Sequence, residues 1–579
     1  MAFAELLEQA GNMGLFQALQ IFTFLFPSIL LPSQLLLENF SAATPGHRCW
    51  APTLDNGSEV PANLSLKDLL TVSIPTDPQQ GPSHCHRFRH PQWHLLDLNV
   101  TATNWSKEAT EPCVDGWVYD SSTFTSTVVT QWDLVCHSQH LKPMGQSIYM
   151  VGILLGSTVW GLLSDRFGRK PTLIWCCLHV AVTSTLTIFA PNFLIYCGLR
   201  FVSAFAVAGI VMTSTMLLVE WTPTPKRAVS MTILGCFLSL GQMGLGGLAF
   251  ALRDWRTLQL AVSVPFFATF LANWWLPESA RWLIIMGKPD KGLQELKKVA
   301  RINGQKEAKK TLTIEVLMSS MQEELASAKT RQTWLDLFHM PELRWRLFGL
   351  FVVIFSVTFS YYGLVLDLQN LGSDIFLLQV LFGAVDFLGR ATTPFLLKFF
   401  GHRITIASSQ STAGFFILAN VLVPRDFQSM RVVFAVLGKG CFGVTLTCLT
   451  VYRTELFPTS LRMTADGLLQ AAGRLGAVMG PLIGMTRQAL PLLPPLSYGI
   501  TPIASSFLLL PLPETKGLPL PDTMQSLENH HALLFFLVKL AVHSQMPWSE
   551  SPGCPQSCFI NKTGPVLSLP GSRFLSAAS

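Results

Sequence analysis

Long apolar stretches separated by polar loops are the main pattern along the chain. Twelve stretches of about 20 residues are almost free of charge, and a helix of ~20 residues is long enough to cross the hydrocarbon core of a bilayer. The pattern predicts an all-α polytopic membrane protein with twelve transmembrane helices. They lie at about residues 14–37, 143–163, 171–191, 193–219, 228–251, 257–277, 346–366, 375–397, 404–424, 431–452, 464–486 and 488–512.

Residues 38–142, called here the large loop, form the first of two long polar insertions. The loop contains five Asn-x-Ser/Thr sequons and four cysteines, which indicate a glycosylating, oxidising compartment outside the cell. The four cysteines allow three pairings, so the sequence leaves the disulfides open. The sequons begin at Asn39, Asn56, Asn63, Asn99 and Asn104, and the cysteines are Cys49, Cys85, Cys113 and Cys136.

Residues 278–345, called here the basic loop, are the second insertion. Thirteen Lys or Arg lie within residues 281–346. The positive-inside rule therefore places this loop, residues 1–13 and the tail from 513 to 579 in the cytoplasm. Two six-helix halves follow from this division, at residues 14–277 and 346–512. Apolar Leu293, Leu296 and Val299 beside basic neighbours predict a short amphipathic helix within the loop.

Composition and charge exclude several other classes of protein. Of 579 residues, 49% are hydrophobic and only 13% are charged, too few charges for an ordinary cytosolic globule. The net charge of +6 is scattered over many loops, so we expect no nucleic-acid partner. A phosphate-binding Gly-x-x-x-x-Gly-Lys-Ser/Thr motif and a Cys/His set with metal-ligand spacing are both absent from the sequence. We therefore expect no cofactor, no metal and no enzymatic activity.

Sequence elements repeat between the two halves at a nearly constant offset. Residues 220–227 (EWTPTPKR) recur as residues 455–462 (ELFPTSLR), and Leu-Pro-Glu-Ser at 276–279 recurs as Leu-Pro-Glu-Thr at 512–515. Gly168-Arg169-Lys170 corresponds in the same way to Gly401-His402-Arg403. Two related six-helix halves predict a pseudo-symmetric transporter with a substrate cavity between them near the bilayer midplane.

These motifs also carry a family resemblance. Residues 161–170 (GLLSDRFGRK) resemble the loop signature of the major facilitator superfamily. Residues 111–117 (EPCVDGW), 277–282 (PESARW) and 455–459 (ELFPT) resemble the organic-ion transporter family within it. The opening Met-Ala-Phe and residues 437–442 (LGKGCF) are similar to its organic anion transporters, with a renal urate transporter as a near relative. The resemblance extends to about residue 528.

The resemblance implies how such a protein works and where it resides. It implies alternating access, with exchange of the substrate for an intracellular dicarboxylate or hydroxide. It also implies a multi-pass location in the plasma membrane, at the apical surface of epithelial cells.

Charged residues at the cytoplasmic ends of both halves form a predicted gate. Asp165 can meet the N-terminal end of a helix in its own half, and Glu220 with Arg227 can pair with the corresponding residues of the second half across the closed mouth. Ordinary membrane-edge charge is the alternative, and the resemblance favours the gate. The candidate gating residues are Asp165, Arg166, Arg169, Glu220, Arg227, Glu455 and Arg462.

Five charged side chains lie inside the predicted spans and away from the span ends, where each costs at least ~2.5 to 3.5 kcal/mol. Arg200 is the charge in the first half, and we interpret it as structural. The second half contains Asp386, Arg390, Lys439 and Arg474. Because four of the five charges are positive, we predict that the substrate is an anion.

Arg474 is the best candidate for contact with the substrate. It lies near the middle of its span among small residues, and Gln470 is one turn earlier on the same face. An unpaired guanidinium there can hold a carboxylate or sulfate with two parallel hydrogen bonds. The alternative is a structural arginine bonded to backbone carbonyls.

The other charges of the second half allow two interpretations each. Asp386 and Arg390 are one turn apart and can neutralise each other. The resemblance implies instead that Arg390 is a second cavity cation, because the anion carriers of the family have a lysine at the aligned position. Lys439 lies between two glycines and can extend outward along its span or face the cavity. We predict that it faces the cavity as part of the substrate site.

Aromatic and amide side chains complete the predicted site. Phe359, Tyr361 and Tyr362 in the seventh span, and Phe237 and Gln242 in the fifth, are expected to line it. Aromatic faces favour planar or steroidal anions. The two tyrosines are the stronger candidates because their hydroxyls need polar partners. The resemblance matches them to an aromatic pair in the urate relative, which has histidine at the position of Gln242.

The sequence as a whole predicts a secondary active transporter of organic anions such as sulfated steroids and urate. Its partners are the substrate, a counter-anion and the lipid bilayer. One alternative is an organic cation transporter of the same fold, which would need an acid in place of Arg474. The other is a transport-inactive splice isoform, because the chain from about residue 530 departs from the family and lacks the scaffold-binding terminus of the relatives.

Overall fold

A computed structural model describes residues 2–56, 64–77, 81–96, 109–305, 312–329, 341–371, 374–424, 426–457 and 462–515. These residues belong to one compact unit. The predictions for Asn63, Asn99, Asn104 and the tail from residue 516 lie outside the described residues, as does the side chain of Arg462.

Twelve long helical segments, called here spans 1 to 12, form the body of this unit. Within the described ranges, ten of them are long and apolar enough to cross a bilayer. The other two are span 9, with a polar middle section, and span 12, with 14 residues. The spans are Leu15–Leu36, Leu141–Phe167, Arg169–Leu186, Phe193–Trp221, Thr224–Ala251, Trp255–Ser263 continued by Pro265–Ala272, Pro341–Val365, Ile375–Phe400, His402–Leu422, Gln428–Leu456, Arg462–Gly484 and Leu493–Ser506.

Prolines set some of the helix boundaries. Span 6 is divided at Val264, directly before Pro265. Span 12 begins at Leu493 and has Pro494 and Pro495 in its first turn, where the missing N–H of proline costs no helical hydrogen bond. These two prolines are therefore compatible with a helix, which also contains Pro502 in its interior and continues as the 3-10 turn Phe507–Leu509.

The packing of the spans is repeated in the two halves. Span 2 packs against span 4, span 1 against span 5 and span 3 against span 4, and spans 8 with 10, 7 with 11 and 9 with 10 repeat these contacts. The halves meet where span 2 packs on span 11 and span 5 on span 8. This arrangement is the pseudo-symmetric architecture that the sequence repeat predicts.

The described residues of the large loop form three short antiparallel strand pairs and two disulfides. Cys49 pairs with Cys113 and Cys85 with Cys136, which selects one of the three possible pairings. The strand pairs are His47–Cys49 with Trp117–Tyr119, Thr76–Asp77 with Gly81–Pro82, and His86–Phe88 with Thr110–Pro112. The helices are Glu38–Ser41, Pro52–Asp55, Leu66–Ser73 and Val128–Gln131, and the 3-10 turns are Trp93–Leu96 and Cys136–Ser138.

Two of the predicted glycosylation sites have opposite environments. Asn56 is exposed. Asn39 is only 3% exposed, and its Nδ2 donates a hydrogen bond to the carbonyl oxygen of Val365 at 2.9 Å. This placement contradicts the prediction of a glycan on Asn39, because a glycan would need that nitrogen to be free and accessible.

Short helices of the basic loop pack on the N-terminal helix of the chain. Leu293, Leu296 and Val299 are buried within Pro289–Ile302, so the predicted amphipathic helix is present. Asn303 ties the two segments together, because its Nδ2 donates to Ala10 O at 3.0 Å. The helices are Ala2–Gln9, Ala280–Ile285, Pro289–Ile302 and Ile314–Lys329, and the remaining 3-10 turns are Thr187–Phe189, Asn273–Trp275, Leu368–Leu371 and Met485–Gln488.

Candidate substrate cavity

A cavity of about 290 Å³ lies between the two halves, close to the size of a small-molecule site. Spans 1, 5, 7, 8, 10 and 11 contribute to its wall. The lining residues include Pro32, Leu35, Leu36, Leu238, Gln242, Ile354, Thr358, Tyr361, Tyr362, Asp386, Arg390, Leu446, Leu449, Thr450, Arg453, Gln470, Gly473, Arg474 and Ala477.

Hydrogen bonds between the halves cover the cavity at the large-loop end. The Nζ of Lys142 donates to Gln369 Oε1 at 2.6 Å, and Gln146 Nε2 donates to Leu366 O at 3.4 Å. Asn39 joins the same segment through Val365 O. In the other direction the cavity extends to Arg453, close to the basic-loop end of span 10.

Arg474 lies on the cavity wall at the middle of span 11. The neighbouring Gly473 lets span 7 pack closely, because a Cβ at position 473 would lie only 3.3 Å from the side chain of Ile354. Among the residues that the structure describes, no hydrogen bond or ion pair neutralises the Arg474 guanidinium. The arginine predicted as the best site residue is thus both accessible from the cavity and unpaired.

Asp386, Arg390 and Lys439 form one buried charge cluster, called here the triad. The Nε of Arg390 is 3.1 Å from Asp386 Oδ2, and the Nζ of Lys439 is 3.3 Å from Asp386 Oδ1. Ser239, from the first half, donates a hydrogen bond to Oδ2 at 2.9 Å. Arg390 therefore forms the ion pair with Asp386 that the first interpretation predicts. Its side chain is also 19% exposed and lines the cavity, as the second interpretation, a cavity cation, predicts.

Lys439 does not face the cavity, which contradicts the prediction that it lines the substrate site. Its side chain is 0% exposed, and its ammonium lies 4.0 Å from the ring centroid of Tyr361. Burial of an ammonium group is costly unless it is paired, and the carboxylate of Asp386 supplies the opposite charge.

Of the predicted aromatic residues, only the two tyrosines line the cavity. Tyr361 and Tyr362 contact each other edge to face, with ring centroids 5.2 Å apart. Phe359 is buried against Tyr498 at 5.2 Å, so it belongs to the packing of span 7. Phe237 does not line the cavity either. Phe359 is therefore corrected from a substrate contact to a packing residue, and the half-buried Phe237 is no longer assigned to the cavity wall.

The two amide residues predicted for the site both reach the cavity wall. Gln242 is buried, and its Nε2 has no hydrogen-bond partner among the described residues. The Nε2 of Gln470 donates to Asp466 Oδ2 at 3.3 Å, and Asp466 in turn lies 2.8 Å from Arg453 Nε. Sequence analysis missed Arg453, whose only signal was its place near the end of an apolar stretch.

The predicted gating residues of the first half pair within that half. Arg169 lies 2.6 Å from Asp165 and 3.3 Å from Glu220. The pairing of Glu220 across the closed mouth stays a prediction, because in this conformation Glu220 pairs within its own half. Asp165 does not meet the helix end as predicted; the carboxylate of Glu278 accepts hydrogen bonds there from the backbone N–H groups of Arg169 and Lys170.

The second half repeats this arrangement with different side chains. The Glu514 carboxylate accepts hydrogen bonds from the backbone N–H groups of His402 at 2.8 Å and Arg403 at 3.0 Å. His402 takes the place of Arg169, and its Nε2 lies 3.7 Å from Glu455. Sequence analysis named neither capping glutamate, although the repeated Leu-Pro-Glu contained the signal.

Two further gating candidates contact residues of their own half. Arg166 is exposed beside the ring of Phe167, and Arg227 Nε donates to Thr222 O at 3.0 Å. Within the described ranges, no group of three or more His, Cys, Asp or Glu residues could hold a metal ion.

Comparison with known proteins identifies the family. The model of the "Sugar (and other) transporter" family matches residues 101–525. Human "Solute carrier family 22 member 11" is 69% identical over 530 residues, which cover 91% of this chain and 96% of the relative. The human "Steroid transmembrane transporter SLC22A24" is 47% identical over 532 residues, with the same coverage.

A solved structure supports the fold assignment. The xylose transporter XylE from E. coli, in a partially occluded inward-open conformation, matches with a TM-score of 0.53 and 14% identity over 87% of this chain and 100% of that one. The likeness shows the major facilitator fold. The chain belongs to solute carrier family 22, as an organic-anion-transporter-like, multi-pass membrane transporter and not an enzyme.

Proposed function

We propose that the protein moves amphipathic organic anions, such as sulfated steroids and urate, across the plasma membrane by alternating access. The observation that carries this proposal is the unpaired guanidinium of Arg474 on the wall of the cavity between the halves. A guanidinium in such a place can bind a sulfate or carboxylate through two parallel hydrogen bonds. Binding of such an anion explains why this site contains a charge that is costly to bury.

The charges around the cavity support an anion rather than a cation. Arg474 and Arg390 both line it, while Asp386 is engaged by two cations and Ser239. An organic cation would meet an excess of positive charge. An organic cation transporter would need a free carboxylate beside Arg474, and the described part of the cavity wall offers none.

The apolar part of the wall supports an amphipathic substrate. Leu36, Leu446 and Leu449 face the cavity together with Tyr361 and Tyr362. Aliphatic and aromatic surface favours a planar ring system, and the name of one relative, a steroid transmembrane transporter, agrees with a steroid skeleton. The substrate would place its anionic group at Arg474 and its rings against this surface.

The arrangement of the loops supports an assignment of sides. We place the disulfide-bearing large loop outside the cell and the basic loop with both termini in the cytoplasm, by the positive-inside rule. The cavity, covered at the large-loop end, then faces the cytoplasm in this conformation. There the site can release one anion and bind a dicarboxylate or hydroxide for the return step. The family resemblance favours an apical epithelial membrane. The exposed sequon favours a glycan on Asn56.

Uptake into proteoliposomes tests this proposal. Vesicles containing the purified protein should take up a radiolabelled steroid sulfate faster when preloaded with glutarate than when preloaded with uncharged mannitol. Arg474→Gln vesicles provide the control, because they keep the protein and remove the charge. Equal rates with and without glutarate would remove the exchange claim, and faster uptake of a quaternary ammonium than of the sulfate would overturn the anion assignment.

A further inference from the structure

Lys439 is a buried cation that lies behind the cavity wall. Its side chain is 0% exposed and its ammonium contacts Asp386 Oδ1 and the ring of Tyr361. Both of these neighbours line the cavity and Lys439 does not, so Lys439 lies behind the wall that a ligand would contact.

Glycines bring Lys439 close to Asp386. A Cβ on Gly389 would lie 2.9 Å from the carbonyl oxygen of Gly440, so the backbones of spans 8 and 10 approach closely there. A Cβ on Gly443 would lie 2.6 Å from Asp386 Oδ1. Glycine at these positions leaves the room in which the carboxylate and the ammonium meet.

The triad divides one negative charge between two cations. Asp386 Oδ1 faces Lys439, and Oδ2 faces the Nε of Arg390. With Arg390 alone, the aspartate and arginine would form a neutral pair. With Lys439 added, the triad has a net charge of +1, and Arg390 is the member with exposed surface. The two terminal nitrogens of Arg390 have no hydrogen-bond partner among the described residues and are free for a ligand.

We propose that Lys439 is a positioning residue, which balances the charge of Asp386 so that Arg390 remains available as a second anion-binding cation beside Arg474. Lys439 never touches the substrate. Its charge raises the affinity of the cavity for anions, and for divalent anions more than for monovalent ones, because Coulomb energy scales with the charge of the ligand. This inference rests on the proposed anion transport.

The first test compares Lys439→Met with Lys439→Arg, which changes the side chain but keeps the charge. Lys439→Met should raise the KM for steroid sulfate about tenfold or more and raise the inhibition constant of glutarate by a larger factor. Lys439→Arg should stay within about threefold of the wild type for both. An equal rise for the two anions, or no rise, would contradict the proposal.

The second test restores the charge balance without restoring the lysine. In Asp386→Asn/Lys439→Met the only charge left in the triad is Arg390, so the net charge returns to +1. We expect its KM to return to within about threefold of the wild type. A double variant as impaired as Lys439→Met would show that Lys439 acts by packing under Tyr361 and would overturn the proposal.

Surface biotinylation separates these outcomes from loss of the protein, and all rates are expressed per surface molecule. Should Lys439→Met fail to reach the surface, the double variant decides: a KM like that of the wild type supports the proposal. A double variant that fails to fold while Lys439→Arg folds would assign the triad to stability and contradict it. Absence of sulfate uptake by the wild-type protein would instead contradict the proposed function itself.

Discussion

Arg200 and Arg474 are both arginines inside a span, but their surroundings differ. Arg200, in the first half, is 1% exposed; its Nε lies 3.3 Å from Glu38, and its guanidinium lies over the ring of Tyr149 at 4.2 Å. Arg474, in the second half, faces the cavity, and the described residues offer it no ion pair. A charge within the membrane therefore indicates function only where the protein itself leaves it without a partner.

The same contrast separates the repeated and the unrepeated features of the two halves. Glu278 and Glu514 have corresponding positions and both accept hydrogen bonds from the turn that begins the third span of their half. The charges at the cavity have no such correspondence, because Arg390 and Arg474 both come from the second half. The repeat preserves structure, whereas the substrate site depends on the residues that differ.

The largest effect is expected from removing the paired arginine. Arg200→Met leaves the carboxylate of Glu38 buried without its cation, which should destabilise the protein by ~3 to 5 kcal/mol. We expect a much lower melting temperature in detergent and little protein at the cell surface. The double variant Glu38→Gln/Arg200→Met has no uncompensated charge and should recover most of the loss. A stable single variant would remove the structural role assigned to Arg200.

The next effect is expected from removing the unpaired arginine. Arg474→Gln should lower kcat/KM for steroid sulfate by ~10- to 150-fold, because ~1.5 to 3 kcal/mol of hydrogen bonding to a charged group disappears. Its melting temperature should stay near that of the wild type, because no protein partner is left behind. Arg474→Lys keeps the charge but not the two parallel hydrogen bonds, and should retain intermediate transport. A destabilised Arg474→Gln with normal kinetics would reverse the comparison with Arg200.

The fold could be predicted from the sequence because its signals are long and physical. Twelve apolar stretches, two insertions of opposite character and a repeat at a constant offset predicted the spans and their pseudo-symmetric packing. The pairing of Cys49 with Cys113 could not be predicted, because it depends on which strands of the large loop lie together. The burial of Asn39 was equally hidden, since a sequon does not reveal whether its nitrogen is engaged.

The candidate site could be predicted only in part. Span and depth placed Arg474 near the cavity, but helical periodicity alone did not tell which face of span 7 points inward, so Phe359 was assigned wrongly. Lys439 was misplaced for a related reason: its orientation depends on the close approach of spans 8 and 10. The repeated Leu-Pro-Glu marks Glu278, but its long-range partner, the turn at Arg169, follows from packing and not from the motif.

A smaller loss of stability, equal in the two halves, is expected from removing either capping glutamate. Glu278→Ala and Glu514→Ala each remove a carboxylate that accepts hydrogen bonds from backbone N–H groups at the turns that begin spans 3 and 9. Loss of such a cap costs ~0.5 to 2 kcal/mol. We expect similar decreases in melting temperature for both variants, with Glu315→Ala, at an exposed position, as the control. Unequal decreases would show that the repeated motif is structural in one half only.

The smallest effect is a pH dependence that belongs to the first half. Burial raises the pKa of Glu278 above its ordinary value of 4.5, against the opposing effect of the backbone N–H groups of the turn. From pH 4.5 up to that raised pKa, the folded protein holds a proton that the unfolded chain has released, so the stability due to Glu278 falls as pH rises.

Glu278→Gln has no titratable proton in this side chain but keeps an oxygen that can accept the hydrogen bonds of the turn. It therefore separates the pH effect from the loss of the cap. The melting temperature of the wild type minus that of Glu278→Gln should decrease from pH 5 to pH 8, by less than the change caused by alanine. Glu315→Gln, at an exposed carboxylate, corrects for effects common to any acid. A difference that increases with pH would mean that the hydrogen bonds of the turn outweigh burial, and that the cap is stabilising because it is charged.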